Sequence, residues 1–121
     1  MTIPEKAISD LDLFKSASKF DQDTVRTFYP GLADPEVKPL LTDLINQSVD
    51  DFKEVAVSDQ PTEKQFQEKI SIGLSRFTPL QLDTEDRERV CAYYEELMDM
   101  VGLESSGGIL NNWMYGFDPA P

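Results

Sequence analysis

Histidine is absent from this chain of 121 residues, and cysteine occurs once. Without histidine there is no Ser-His-Asp or Cys-His nucleophilic site and no imidazole-ligated metal. Carboxylate-bridged di-iron sites of the Glu-x-x-His type are excluded as well. A single Cys91 allows no disulfide framework. It has no base near it in sequence and borders the apolar face of a predicted helix, so it reads as a small core residue. Apolar runs are only a few residues long, far short of the ~20 needed to cross a bilayer. The opening "MTIPEKAISD" has no basic stretch followed by an apolar one, so no signal peptide is expected, and the cytoplasm is the expected compartment. Basic residues also run out: none follows Arg89, whereas Glu95, Glu96, Asp99, Glu104 and Asp118 all do.

What is present describes a globular protein. Hydrophobic residues make up 40% of the chain and aromatics 10%, enough apolar surface to offset the entropy of ordering. One domain over residues 1–121 is expected, burying roughly two-thirds of the surface of its unfolded chain. The net charge is −12, and its halves, 1–60 and 61–121, carry −6 each, so there is no separate acidic tail. Such a field repels nucleic acid and anionic lipid and steers a basic protein. The competing account is that an acidic surface simply keeps a small protein soluble.

Helical spacing dominates. Pro4 suits a first helical position ahead of Ala7, Ile8, Leu11 and Phe14. Asp21 is placed to cap a short helical turn carrying Val25, Phe28 and Tyr29, ended by Pro30-Gly31. Asp34-Pro35-Glu36 reads as an N-cap followed by proline. Val37, Leu40, Leu41, Leu44, Ile45, Phe52 and Val55 then form one stripe. Pro39 conflicts with a regular start: either the first turn is loose or the helix begins near Lys38. Thr62 and Gln65 form a capping box ahead of Phe66, Ile70, Gly73, Leu74 and Phe77. The alternation of Ile70, Ile72 and Leu74 also fits a strand, but it is short and holds Gly73, so helix is preferred. Thr78-Pro79 ends that segment. Asp83 opens the clearest helix, with Glu85 and Asp86 complementing its dipole and Glu85 one turn before Arg89. Val90, Tyr94, Leu97, Met98 and Val101 line one face, and Gly102 is the expected residue past the end.

The passage "GLESSGGILNNWMYGFDP" (102–119) has the glycines of a phosphate loop without its chemistry. Ile109 and Leu110, not lysine and Ser/Thr, follow the glycine pair, the loop leaves a helix instead of a strand, and Glu104 repels phosphate. As structure it is coherent: Ser105 or Ser106 caps a short helix whose Ile109, Leu110, Trp113 and Phe117 form a docking stripe. Asn111, Asn112 and Tyr115 then point elsewhere, with Met114 at the edge. The rival account gives some of these aromatics to a partner, because Trp, Tyr and Met are enriched at interfaces.

Carboxylates are the remaining chemistry. Asp50, Asp51 and Glu54 share one turn, and Glu95, Glu96 and Asp99 another. Paired helical carboxylates hold magnesium in all-α nucleotide pyrophosphatases. Here the first cluster has the wrong residue types, the gap is long, and neither cluster is expected to bring lysine or arginine to a phosphate. Solvated helix faces explain both. Asn46-Gln47-Ser48 matches a glycosylation triplet inside a predicted helix, in a chain with no export signal, and is discounted.

"LSRF" (74–77) and "LDTEDRERVCAYYEELMDMVGLESSGGILNNWMYG" (82–116) resemble the bacterial domain-of-unknown-function family 4844. The likeness implies a small bacterial protein and carries no site residue with it. The residues themselves predict an all-α, single-domain antiparallel bundle of four to five helices, with a short C-terminal helix packed back on it. The expected role is a non-enzymatic interaction module, of inhibitor or immunity type, for a basic protein. No catalytic residue, metal or cofactor is expected, and the candidate partner surface is Glu95, Glu96, Asp99, Asn111, Asn112 and Tyr115. The alternative is a metal-dependent hydrolase acting on nucleotides through the carboxylate clusters.

Overall fold

Five α-helices carry the fold in a computed structural model that describes residues 1–25 and 28–116: α1 Ala7–Ser16, α2 Lys38–Ala56, α3 Glu63–Ser75, α4 Thr84–Val101 and α5 Ile109–Tyr115. The helix ends follow from their capping residues. Asp34 accepts the Glu36 amide and starts a 3-10 turn, Pro35–Val37. That turn lets Pro39 fall in the first turn of α2, where a missing N–H leaves no carbonyl unpaired. The conflict at Pro39 is settled by a tight turn followed by a regular helix. At α3 the capping box is complete: Gln65 N–H donates to Thr62 Oγ1 at 3.2 Å, and Thr62 N–H donates to Gln65 Oε1 at 2.9 Å. Asp83 Oδ1 accepts the Asp86 amide at the head of α4. At its end Gly102 takes φ +77°, a conformation that strains any residue with a Cβ. Leu103 N–H then reaches the Met98 carbonyl at 2.9 Å and Leu103 is buried, the hydrogen bond and apolar contact of a Schellman ending.

α1 to α4 pack around one apolar core, and α5 closes it by lying on α3 and α4. Leu41, Ile45, Val49 and Phe52 of α2 are fully buried against Phe66 and Ile70 of α3 and Val90, Tyr94 and Leu97 of α4. Each such side chain contributes about 1.5–3 kcal/mol of transfer free energy. α2, α3 and α4 pack tightly together at Gly73. A Cβ there would overlap both the Tyr94 hydroxyl and Ser48 Oγ, which share a buried hydrogen bond of 2.6 Å. Ser48, third residue of the glycosylation triplet, is therefore a buried structural hydroxyl within α2.

Several expectations are corrected. α1 begins at Ala7, not Pro4, whose carbonyl instead accepts the Ala7 amide at 3.0 Å. The turn expected after Asp21 is not helical. Asp23 and Tyr29 form an antiparallel bridge, exchanging hydrogen bonds of 2.8 and 2.7 Å. Asp21 pairs with Lys38, Phe28 sits at φ +56°, and Val25 and Phe28 are exposed. Tertiary bonds outweigh local pattern here: buried Asp86 of α4 accepts from Tyr29 Oη at 2.8 Å and from the Ala33 amide at 3.3 Å, which holds the segment extended across α4. Leu40, expected in the stripe of α2, is 46% exposed. In α5 the buried residues are Leu110 and Met114; Trp113 is only half-buried, and Phe117 lies outside the described residues. Among the described residues, no helix is long and apolar enough to cross a membrane.

Candidate functional site

The acidic residues divide into two populations. On the side formed by α1, α2 and α3, Asp12, Asp50, Asp51 and Glu54 bridge helices, whereas Asp10, Asp43, Glu63 and Glu68 make no ion pair among the described residues. Lys15 donates to Asp50 at 2.8 Å and Lys53 to Asp12 at 2.6 Å. Arg76 lies 3.2 Å from Asp51, and Lys69 lies 3.9 Å from Glu54. The Asp50, Asp51 and Glu54 cluster, which has Lys53 within it, is thus met at each position by a cation from α1, from α3 or from the residue that ends α3. Among the described residues, no three Asp, Glu or Cys side chains converge as a metal site would require. The hydrolase alternative has no support from this geometry.

On α4 the arrangement differs. Seven residues and then four bring a helix back to nearly the same azimuth, so Glu88, Glu95 and Asp99 fall within about 40° of one another along about 16 Å of axis. All three are exposed, as is Glu104 just past the helix. None of these four makes an ion pair among the described residues. The two arginines nearby in sequence are committed elsewhere. Arg87 stacks 5.1 Å from the Trp113 ring and donates to the Trp113 carbonyl. Arg89 lies between the rings of Tyr29 and Tyr93, at 4.9 and 5.2 Å, and 3.9 Å from Asp23.

A trough runs beside these acids, between α4 and α5. One section, about 410 Å³, is lined by Glu95, Asp99, Glu104 and Asn111 over Met98, Leu103 and Leu110. The next, about 230 Å³, shares Glu95, Leu110 and Asn111 and continues past Glu88, Cys91, Met114 and Tyr115. The Ser105 and Ser106 hydroxyls shape its closed end, accepting from the Gly107 and Leu110 amides at 3.0 and 3.3 Å. Cys91 in its floor is 8% exposed. Burial, reinforced by the charges of Glu95 and Glu88 and opposed by Arg87, pushes its thiol up to about 11, which keeps it protonated and a poor nucleophile at neutral pH.

The sequence-derived surface is therefore partly assembled. Glu95, Asp99, Asn111 and Tyr115 line the trough. Asn112 faces the opposite side of α5, in a hollow shared with Trp113, Ser71 and Ser75. Glu96 turns toward α1, where its charge acts on buried Lys19. Lys19 itself was not foreseen. It is 1% exposed and closes the end of α1 by donating to the carbonyls of Phe14 and Ala17, at 2.5 and 2.9 Å. Desolvation lowers its pKa, and Glu96 partly restores it. Glu88 precedes Arg89 and so falls outside the acid-only stretch of the sequence. The helical period joins Glu88 to Glu95 and Asp99 and leaves Arg89 on another face.

A sequence profile described as the domain of unknown function DUF4844 matches residues 2–118. This chain belongs to the DUF4844 family. Its helical bundle is shared with a crystal structure of a DUF3571 family protein from Acinetobacter baumannii AYE. The TM-score is 0.81 at 34% sequence identity, over 91% of this chain and 89% of that one. No curated protein matches the chain. The DUF4844 match spans all five helices and the trough between α4 and α5, so that face is part of the family's domain and not an appendage to it.

Proposed function

We propose that this DUF4844 chain is a non-enzymatic interaction module for a basic protein, of inhibitor or immunity type, and that it engages its partner through α4 and the segment leading into α5. The observation that carries this reading is the sorting of charge. Asp12, Asp50, Asp51 and Glu54 bridge helices on the α1–α3 side, while Glu88, Glu95, Asp99 and Glu104 face solvent along one stretch of α4 and its exit, without an ion pair among the described residues. Solubility alone needs acidic residues but not their segregation onto one face. Unbridged like charges along a face focus the field there and raise the encounter rate with an oppositely charged surface.

The test is a quantitative affinity capture from cells that express the chain, with wild type and the Glu95→Gln/Asp99→Asn variant compared at two salt concentrations. A basic protein held by the wild type, and reduced with the variant or by salt, is the expected outcome. Equal recovery by both forms removes the α4 face as the contact.

A further inference from the structure

Resting on that reading, we infer that the occupant of the α4–α5 trough is a single amphipathic α-helix of the partner, with Lys or Arg along one flank and uncharged polar residues along the other. The two walls of the trough differ. The α4 wall carries Glu88, Glu95 and Asp99, whereas the α5 wall presents the neutral Asn111 and Tyr115. A complementary segment is therefore basic on one flank only. The floor between the walls is apolar, formed by the tips of Met98, Leu110 and Met114, and asks for an apolar stripe. The methionine side chains are unbranched and polarizable, so they accommodate such a stripe by changing rotamer without disturbing the backbone.

Backbone chemistry selects a helix over an extended segment. Extended peptides gain affinity by adding a strand to an open sheet edge. The trough is bounded by α4, α5 and the 103–108 segment between them, and none of these is a strand edge to which an extended chain could add. An extended chain lying there would bury its own N–H and C=O groups unpaired, at a cost that a helix avoids by satisfying them itself. The spacing agrees. Acids at 88, 95 and 99 recur with the helical period over about 16 Å, so basic residues at the same intervals on an adjacent helix meet them in register. A second copy of this chain does not fit, because it would bring like charges face to face.

The probe is a synthetic peptide of about 20 residues with leucine at helical spacing, lysine along one flank and glutamine along the other. The control has the same charge and length with two central prolines, which break the helix. Both are titrated into the full chain, with binding followed by amide chemical shifts and by calorimetry. The helical peptide is expected to shift residues 88–99 and 103–115 and to bind about tenfold tighter than the control. The exposed substitutions Glu95→Gln and Asp99→Asn together are expected to weaken it about tenfold. Equal binding of the two peptides on this face would overturn the helical occupant and leave the basic-partner reading standing. Shifts confined to α1–α3 would overturn the trough as the site, again without touching that reading. Failure of both peptides to bind would count against both.

Discussion

Gly73 meets Tyr94 and Ser48 where α2, α3 and α4 pack together, and the fit leaves no room for a methyl group. Gly73→Ala is expected to destabilise by about 1–3 kcal/mol through overpacking, despite alanine's better helix propensity. Tyr94→Phe removes the hydroxyl and leaves Ser48 Oγ without its 2.6 Å partner, at about 1–3 kcal/mol. The double variant is expected to lose less than the sum, because the aromatic oxygen is one of the two atoms the new methyl meets. Urea midpoints of the four proteins check both statements. Burial also sets an alkaline limit. Cys91 keeps its proton longer folded than unfolded, so its contribution is present below its ordinary value of 9.0 and lost as pH rises toward about 11. Tyr29 and Tyr94, both raised chiefly by desolvation, add losses above 10.0. Lys19 works the other way. Its lowered pKa means the folded state sheds the proton first, so stability is gained as pH rises toward 10.5. Three groups against one predict a urea midpoint that falls from about pH 9, with the onset moved upward in Cys91→Ala. The hydrophobic member of each of these sites was legible in the sequence. Its partners were not, since nothing in the spacing of Ser48, Gly73 and Tyr94 announces that they touch.

Elements were legible where local signals and packing agree. The helices α3 and α4 each combine a cap residue with an apolar stripe and formed where those signals lay, and α2 follows its stripe out of the 3-10 turn that Asp34 caps. The segment from Lys19 to Ala33 was misread because its structure is held from outside. Tyr93 Oη accepts the Phe20 amide at 2.6 Å and keeps Phe20 at φ +63°, while Asp86 captures Tyr29 and Ala33. Such bonds depend on side chains more than fifty residues away, and no periodicity encodes them. The short helix α5 lies between these cases: its docking was predicted, but the buried stripe is Leu110 and Met114, with Trp113 at its margin. Trp113 keeps its indole N–H on Thr78 Oγ1 at 3.2 Å and its ring edge-on to Phe77. Leu110→Ala or Met114→Ala is accordingly expected to cost about 2–5 kcal/mol. Trp113→Ala is expected to fall below the ~3–5 kcal/mol of a buried tryptophan, since part of its ring already meets water. Chemical denaturation followed by circular dichroism ranks the three. A Trp113→Ala loss larger than that of Leu110→Ala would show that the indole, and not the aliphatic pair, anchors α5.

At the scale of the whole molecule the charge is −12, and its distribution matters more than its sum. Exposed bridges such as Lys15–Asp50 are worth about 0–1 kcal/mol each and weaken with salt. What they do is set Lys15, Lys53, Lys69 and Arg76 among the acids of that side, whereas Glu88, Glu95 and Asp99 on α4 have no cation in ion-pair contact among the described residues, so the local field there is less compensated. Association with a basic partner should therefore depend on where a negative charge is removed, not only on how many are. Glu95→Gln and Glu63→Gln each remove one exposed acid, the first from the trough wall and the second from the head of α3. Both reduce the net charge equally. If encounter follows the local field, Glu95→Gln slows association with a basic peptide several-fold at low salt, while Glu63→Gln changes it little. The difference should shrink as ionic strength rises through ~0.1 M, where the Debye length of about 10 Å becomes shorter than the charged face. Stopped-flow association rates across a salt series measure this. Equal slowing by both variants would mean that net charge alone steers the partner and that the segregation of acids onto α4 has no kinetic role.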